Sequence, residues 1–240
     1  MKKEGIIIGA GMAGLTAAIA MQQLGISVKI YEWAPTLEAV GAGIWMAPNA
    51  MQVFDRLGIA HKINEGGVPL EKIQIVDRNM HPILRTNQDA FRNRFGFTTT
   101  AIRRSSLQEI LLQEINKENL NLGKKCIGIE NIGDEPVAFF EDGSSVAADF
   151  IIAADGVHSP VRKQLFPKAI LRNKNTCCWR GIALLQLRPE FKKAIIESWD
   201  QGVRFGFSEV KDGMVDWFAV QRTKDKSKGH IKTRLNQLFG

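Results

Sequence analysis

Three glycines near the start of the chain, Gly9, Gly11 and Gly14, stand at the spacing Gly-x-Gly-x-x-Gly. Such a spacing can cradle a phosphate when it joins a strand to a helix. Both neighbours are present. Glu4 to Ile8 is a short β-rich run suited to a buried parallel strand. Gly14 to Leu24 is an alanine-rich helical stretch, with Gly25 just past its end as a stop. Ile26 to Glu32 then alternates and is rich in β-branched residues, which predicts a second strand ending on a carboxylate. In this frame Gly9 permits the tight turn and Gly11 lets a pyrophosphate approach the backbone. Gly14 lets the helix pack close to the strand, and Met12 and Ala13 offer the N–H groups of the helix start. Glu32 would accept hydrogen bonds from adenosine ribose hydroxyls. A carboxylate there disfavours a ribose 2′-phosphate, so NADP does not suit this particular site. The fingerprint specifies a dinucleotide and leaves NAD and FAD both open.

The same N-terminal letters satisfy a competing pattern. Two lysines, an apolar run and Ala18-Ile19-Ala20 look like a secretory signal with its cleavage site. Glu4 in the basic segment and three glycines within the apolar core count against it. The run is also short for a membrane span, and no later segment resembles one. The three cysteines, Cys126, Cys177 and Cys178, form no disulfide framework and no zinc spacing, and the four histidines are isolated. These features predict a cytoplasmic protein without a metal. The formal charge of +7 is scattered except for 222–232, a stretch expected to be a solvated loop. Aromatic residues are not interleaved with the basic ones, so nucleic acid is not an expected partner.

Three further stretches bear on the ligand. In Val40 to Gly58, Gly41 and Gly43 provide a closely approachable backbone, which could lie against a flat ring system or serve as a plain linker. Pro48 and Asn49 then predict a helix start, with Asn49 as cap and Gly58 as stop. In Ala101 to Leu112, Ser106 and Glu109 read as a capping box, with Leu107, Ile110, Leu111 and Ile115 facing the core. One of Arg103 and Arg104, just before it, could direct a cation at a pyrophosphate or ribityl chain, or the two could be a solvated pair at a strand end. In Asp149 to Arg162, the apolar strand Phe150 to Ala154 leads to the Asp155-Gly156 turn. Ser159 caps the next helix, Pro160 is its first residue, and Arg162 falls on the first turn. An anion-friendly helix start thus sits beside an Asp at a strand's carboxyl end, where ligands bind in open α/β sheets.

Taken together these stretches resemble the FAD-dependent aromatic hydroxylases of the p-hydroxybenzoate hydroxylase type, the monooxygenase family that includes salicylate hydroxylase, kynurenine monooxygenase, zeaxanthin epoxidase and the tetracycline-inactivating monooxygenases. GAGMAG with Glu32 is similar to their FAD fingerprint, and GAGIWMAPNAMQVFDRLGI to their segment beside the flavin. Arg104, three residues before Leu107, matches the Arg of their R-x-x-L helix start. ADGVHSPVR is similar to their A-D-G-x-x-S-x-x-R motif. Cys178-Trp-Arg-Gly181 and Val215 to Ala219 resemble their substrate-domain strands. The resemblance implies FAD held through Gly9, Gly11, Met12, Ala13, Gly14, Glu32, Trp33, Gly43, Ile44, Arg104, Asp155, Gly156 and Arg162. Trp33 stands where the family often has Arg or Lys. The family's later Gly-Asp motif has no counterpart; Gly133-Asp134 precedes the ADG motif and belongs to a hairpin turn. This predicts an N-terminal portion of such an enzyme.

The implied fold is α/β: a Rossmann-like FAD-binding lobe with a mostly parallel sheet (1–70 and 101–170) and an inserted antiparallel-sheet substrate lobe (71–100 and 171–240). Ile231 to Gly240 reads as an amphipathic helix of that second lobe. NADPH or NADH would supply electrons to FAD, and oxygen would supply one atom to a small aromatic or polycyclic substrate, the other leaving as water. The cofactor carries the chemistry, so no protein nucleophile is required. Arg180 is a candidate for the flavin–substrate interface, and Phe205, Phe207, Trp217 and Phe218 for an apolar pocket, although alternation sends only half of such a set to one face. Cys177-Cys178 reads as strand residues rather than a redox pair. The expected partner is a small molecule, the expected state a monomer or weak dimer. Two other readings stand beside this one: a flavoprotein dehydrogenase or reductase without oxygen insertion, and a fragment that binds nucleotide weakly.

Overall fold

A computed structural model describes residues 3–37 and 41–222. The expectations for Ile231 to Gly240 and for most of 222–232 therefore lie outside the described residues. The chain divides into two compact units, one formed by 1–39 and 107–171 and the other by 40–106 and 172–240.

In the first unit the strand Glu4–Ile8 is central. It runs parallel to Phe150–Ala153 on one side and to Ser27–Tyr31 on the other, and Leu120–Asn121 extends the sheet, again in parallel. Four consecutive buried residues from Gly5 to Ile8 reflect burial of both faces of a parallel sheet. The helix Met12–Gln23 follows the first strand and connects it to Ser27–Tyr31, and Gly25 at φ 71° lets the chain leave it. A separate antiparallel sheet is made from Cys126–Ile132, Glu135–Phe140 and Ser145–Ala147, with Gly133 turning the first hairpin. Ile6, Ile8, Tyr31, Cys126, Ala138, Phe140 and Val161 form one buried cluster. In it the Tyr31 and Phe140 rings lie 4.8 Å apart.

In the second unit six strands lie in the order Thr176–Leu184, Met214–Arg222, Val203–Lys211, Ala194–Asp200, Lys72–Val76 and Pro82–Asn87. The expected antiparallel pairing holds at every contact but one, since Ala194–Asp200 runs parallel to Lys72–Val76. Parallel neighbours need a long connection, and more than a hundred residues separate these two. A smaller antiparallel sheet joins Gly43–Met46, Thr100–Arg103 and Val68–Pro69. Leu70, Ala101, Ile195 and Val210 are buried together, with Trp45, Ile73 and Met214 packed against them.

Several boundaries differ from the sequence reading. Residues 40–70 and 101–106, expected with the nucleotide lobe, pack in the second unit, because Gly43–Met46 and Thr100–Arg103 pair there. The helix expected to start on a Ser106 cap starts at Arg104, directly from the preceding strand. The Arg104 N–H donates to Ala42 O at 3.1 Å, which satisfies one exposed helix-start donor without a Ser cap. In the helix Pro48–Arg56 the cap position is Ala47 and Pro48 is N1, so Asn49 lies inside the first turn. The helix Gln88–Phe95, which the sequence reading missed, carries ordinary end signals: Asn87 accepts from Asp89 N at 2.8 Å and Gly96 stops it at φ 79°.

Phe140 anchors the first unit's core. Phe140→Ala is expected to destabilise the chain by about 3–5 kcal/mol, read as a lower urea midpoint for the loss of far-UV circular dichroism.

Candidate functional site

The glycine loop shows three different reasons for glycine. Gly9 adopts φ 102°, and a Cβ there would stand 2.5 Å from Ala154 O, at the end of the adjacent parallel strand. A Cβ on Gly14 would stand 1.9 Å from Gly9 O. At Gly11 a Cβ would meet nothing within 4 Å, and its φ of −72° is open to any residue. Gly11 is the cap residue of Met12–Gln23; no side chain bonds to it and the first turn holds no acidic residue. The first turn of that helix therefore presents Met12 and Ala13 with the positive end of the helix dipole and no side-chain cap. This fits an anionic group brought close to the backbone.

Glu32 lies at the carboxyl end of Ser27–Tyr31 and is buried, 7% exposed. Its Oε2 accepts from Ala10 N at 2.7 Å and its Oε1 from Ala34 N at 3.0 Å. The carboxylate thus ties the glycine loop to the second strand. A carboxylate has about four acceptor positions, so two remain for hydroxyl donors.

Beside these groups is a pocket of about 320 Å³ whose lining includes Gly9, Trp33, Lys124, Lys125, Asp155 and His158. Trp33 is 68% exposed, an indole face held open to solvent. Asp155 Oδ2 accepts from Val161 N at 3.4 Å, and Gly156 turns the chain at φ 83°. Ser159 caps the helix Pro160–Leu165 as expected, its Oγ accepting from Arg162 N at 2.8 Å. The Arg162 guanidinium turns back to donate to Val157 O. The first unit thus brings together Gly9, Trp33 and Asp155, as the sequence reading required. Lys124, Lys125 and His158 were not singled out; the lysines precede the hairpin strand Cys126–Ile132 and belong to no motif, and His158 sits within the ADGVHSPVR stretch without a role assigned to it. Both lysines already hold carboxylates, Asp142 and Glu141.

Gly43, Ile44, Arg104 and Arg180 lie in the second unit. Gly41 has φ 125°, and the Arg104 stem runs along it, its Cδ 3.4 Å from an ideal Cβ there. Gly43 is held at both polar ends. Its N–H donates to Asp216 Oδ1 at 2.6 Å, and its carbonyl accepts from Arg180 Nη2 at 2.7 Å. Asp216 has no exposed surface, and its Oδ2 has no hydrogen-bond partner among the described residues. Arg180 Nη2 lies 3.5 Å from that oxygen. Burial pushes the Asp216 carboxyl above the usual carboxylate range, while the Gly43 N–H and the Arg180 guanidinium pull it back. The sequence placed Asp216 within the Val215 to Ala219 strand but gave its side chain no role.

The aromatic set divides as alternation requires. Phe205 packs on Phe207 at 6.3 Å and on Trp217 at 6.4 Å, and all three line an apolar pocket of about 390 Å³ with Leu185, Leu187 and Phe191. Phe218 takes the other side, its ring 5.6 Å from Trp45, whose Nε1 donates to Ser208 Oγ at 2.8 Å. Cys177 and Cys178 are both free thiols. Among the described residues no group of three metal-ligating side chains occurs, and no helix is long and apolar enough to cross a membrane.

With this geometry in view, comparison with known proteins identifies the class. The FAD binding domain family matches residues 2–207, and the chain belongs to that family. Among curated proteins it is 32% identical over 238 residues to the aurachin C monooxygenase/isomerase of Stigmatella aurantiaca, covering 98% of this chain and 61% of that one. It is 33% identical to the FAD-dependent urate hydroxylase of Mycolicibacterium vanbaalenii, covering 70% and 43%. The structure of Klebsiella pneumoniae HpxO complexed with FAD and uric acid matches with a TM-score of 0.88 at 25% identity, over 99% of this chain and 62% of that one. The tetrameric form of 2-methyl-3-hydroxypyridine-5-carboxylic acid oxygenase, at 20% identity and a TM-score of 0.78, shares the fold. The expected fold class, the family and FAD as its cofactor are thereby borne out. The chain spans about 40–60% of the length of the curated relatives it matches.

Two outcomes follow from the geometry. Gly9→Ala and Gly14→Ala are expected to cost about 2 kcal/mol or more through backbone strain and overlap. Gly11→Ala costs only a cap penalty of about 0.5–1 kcal/mol. Chemical denaturation of the three variants ranks them. For Asp216, the folded state holds a proton that the unfolded chain has already released as pH rises above the ordinary carboxylate value. Stability therefore falls through that window and is greater below it. Asp216→Asn is expected to lack that component when denaturation midpoints are compared from about pH 4 to pH 7.

Proposed function

We propose that this chain is the FAD-binding and substrate-facing part of a monooxygenase that uses NADPH or NADH and oxygen to hydroxylate or epoxidise a small aromatic or polycyclic molecule. The observation that carries the reading is Gly11. Folding explains Gly9 and Gly14, whereas among the described residues no atom requires a glycine at the uncapped start of Met12–Gln23. A pyrophosphate approaching that backbone does require it. The named activities of the relatives, aurachin C monooxygenase/isomerase and FAD-dependent urate hydroxylase, support the same reaction class.

When bound, FAD supplies the electron transfer and oxygen activation that no side chain here provides. The protein's part is binding and orientation. Met12 and Ala13 offer N–H groups to the pyrophosphate. Glu32 keeps two acceptor positions for ribose hydroxyls while its other two hold the loop. Trp33, Asp155, Gly156 and Arg162 would line the cofactor beside the glycine loop, Gly43 and Ile44 would offer their backbone to the flavin end, and Arg104 would direct its cation at the pyrophosphate or ribityl chain. For the substrate, the sheet face carrying Phe218 and Arg180, with the Trp45 ring of the neighbouring sheet packed against Phe218, combines aromatic surface with one half-exposed cation. That combination suits a small planar molecule with a polar or anionic group.

The test starts from colour. The purified chain incubated with FAD and freed of excess is expected to stay yellow, with Glu32→Ala weakening FAD affinity at least about tenfold. A chain that remains colourless defeats the reading for these residues and leaves the weakly binding alternative. Once flavin is bound, aromatic molecules that stimulate NADPH oxidation together with oxygen uptake identify a monooxygenase. NADPH oxidation without matching incorporation of oxygen into a product indicates a dehydrogenase or reductase.

A further inference from the structure

Among the described residues Asp216 carries a buried side-chain oxygen without a hydrogen bond, and it does so against the Gly41–Ile44 stretch. The arrangement around it is built closely. A Cβ on Gly43 would stand 2.7 Å from both Cβ and Cγ of Asp216 and 2.8 Å from Val210 Cγ1, so glycine at 43 and the carboxyl at 216 are matched in space. Asp216 lies opposite Ile182 in the sheet, and Arg180 lies opposite Phe218, one step along the same face. Two side chains from adjacent strands thereby reach one glycine from both polar ends.

We infer that Asp216 is a positioning residue for the cofactor: with Arg180 it fixes the Gly43 peptide, and through it the backbone that the Gly41–Ile44 stretch presents to FAD. This rests on the reading above that the stretch serves the flavin end. The two jaws are coupled. Arg180 Nη2 donates to Gly43 O at 2.7 Å while standing 3.5 Å from Asp216 Oδ2, too far for a good hydrogen bond. A neutral Asp216 leaves Arg180 on the carbonyl. An ionised Asp216 attracts the same N–H group toward its unpaired oxygen, at the expense of the Gly43 bond. The other groups in this field are Cys178, on the Arg180 strand, and Arg204, on Val203–Lys211; burial pushes the Cys178 thiol up, the Arg180 and Arg204 guanidiniums pull it down and Asp216 pushes it up. Arg103, on the strand paired with Gly43–Met46, engages Met214 Sδ at 3.9 Å, and Ser208, paired with Asp216, is uncharged and bonded to Trp45.

FAD titration by quenching of flavin fluorescence, from about pH 5 to pH 9, tests this on the wild-type chain, Asp216→Ala and Asp216→Asn. Thermal unfolding without FAD checks that each variant folds, and the visible spectrum reports the flavin's surroundings. Asp216→Ala is expected to lose at least about tenfold in affinity and to shift the bound spectrum. Asp216→Asn keeps an oxygen for the Gly43 N–H. It is expected to bind within about threefold of wild type where the carboxyl is neutral, and to lose the wild-type dependence on pH. Wild-type binding with an Asp216→Ala variant of equal affinity and spectrum overturns the inference alone. Should Asp216→Ala not fold, an Asp216→Asn pH profile superimposable on wild type overturns it. A wild-type chain that binds no FAD at any pH overturns both this inference and the functional reading beneath it.

Discussion

At Gly9 and Gly14 the glycine loop is compressed to a degree that leaves no room for a methyl group. The Gly14 Cα approaches Gly9 O so closely that a Cβ would sit at 1.9 Å, and Gly9 in turn lies against Ala154 O. That compression brings the start of Met12–Gln23 down onto the carboxyl ends of the parallel strands. Everything else in the first unit follows from keeping this contact dry and in register. In the parallel sheet Ile6 and Ile8 bury one face of the strand that feeds the loop and Ile7 buries the other. Glu32 then closes the loop from the next strand through Ala10 N. A buried carboxylate is costly unless its oxygens are bonded, and here each oxygen has a backbone N–H.

The second unit repeats the device with one difference. At Gly43 a buried carboxylate again accepts a backbone N–H from a glycine-rich segment, but Asp216 has only one oxygen satisfied. Removing one partner from a buried polar group ordinarily costs about 1–3 kcal/mol, so an oxygen left bare is a standing cost. Arg180 stands near enough to soften it and is instead engaged by the Gly43 carbonyl. Glu32 therefore reads as a finished structural tie. Asp216 is a tie whose strength varies with its proton.

Much of the first unit was legible because its signals are local. The strand–glycine–helix–strand order occupies about thirty consecutive residues, and Ser159-Pro160 marks its helix start by short-range chemistry. The misreadings share a cause. Ser106 and Asn49 are good caps in isolation, but Arg104 borrows Ala42 O and Pro48 claims the first helical position. Neighbouring chain decided what propensity alone could not. Asp216 was illegible for a stronger reason. Its partners, Gly43 and Arg180, are far away in sequence, and only strand pairing brings them together. The aromatic residues needed the same information: period-two alternation separates Trp217 from Phe218, but register decides that Phe205 and Phe207 stand with Trp217.

Gly11 separates folding from function more cleanly than Gly9 or Gly14 does. A glycine held by φ or by crowding can be explained without a ligand, as at Gly9 and Gly14. Gly11 has neither excuse, and at a cap position Ser, Thr, Asp or Asn would stabilise the helix as well or better. Such a side chain would occupy the N–H groups of the first turn and the space in front of them. Leaving both open gives up helix stability and preserves a place for an anion. The same logic applied to Asp216 points the same way, since a well-bonded or apolar residue would pack there at lower cost. Both positions, Gly11 in the glycine loop and Asp216 against the Gly41–Ile44 segment, give up stability in the stretches proposed to hold the cofactor.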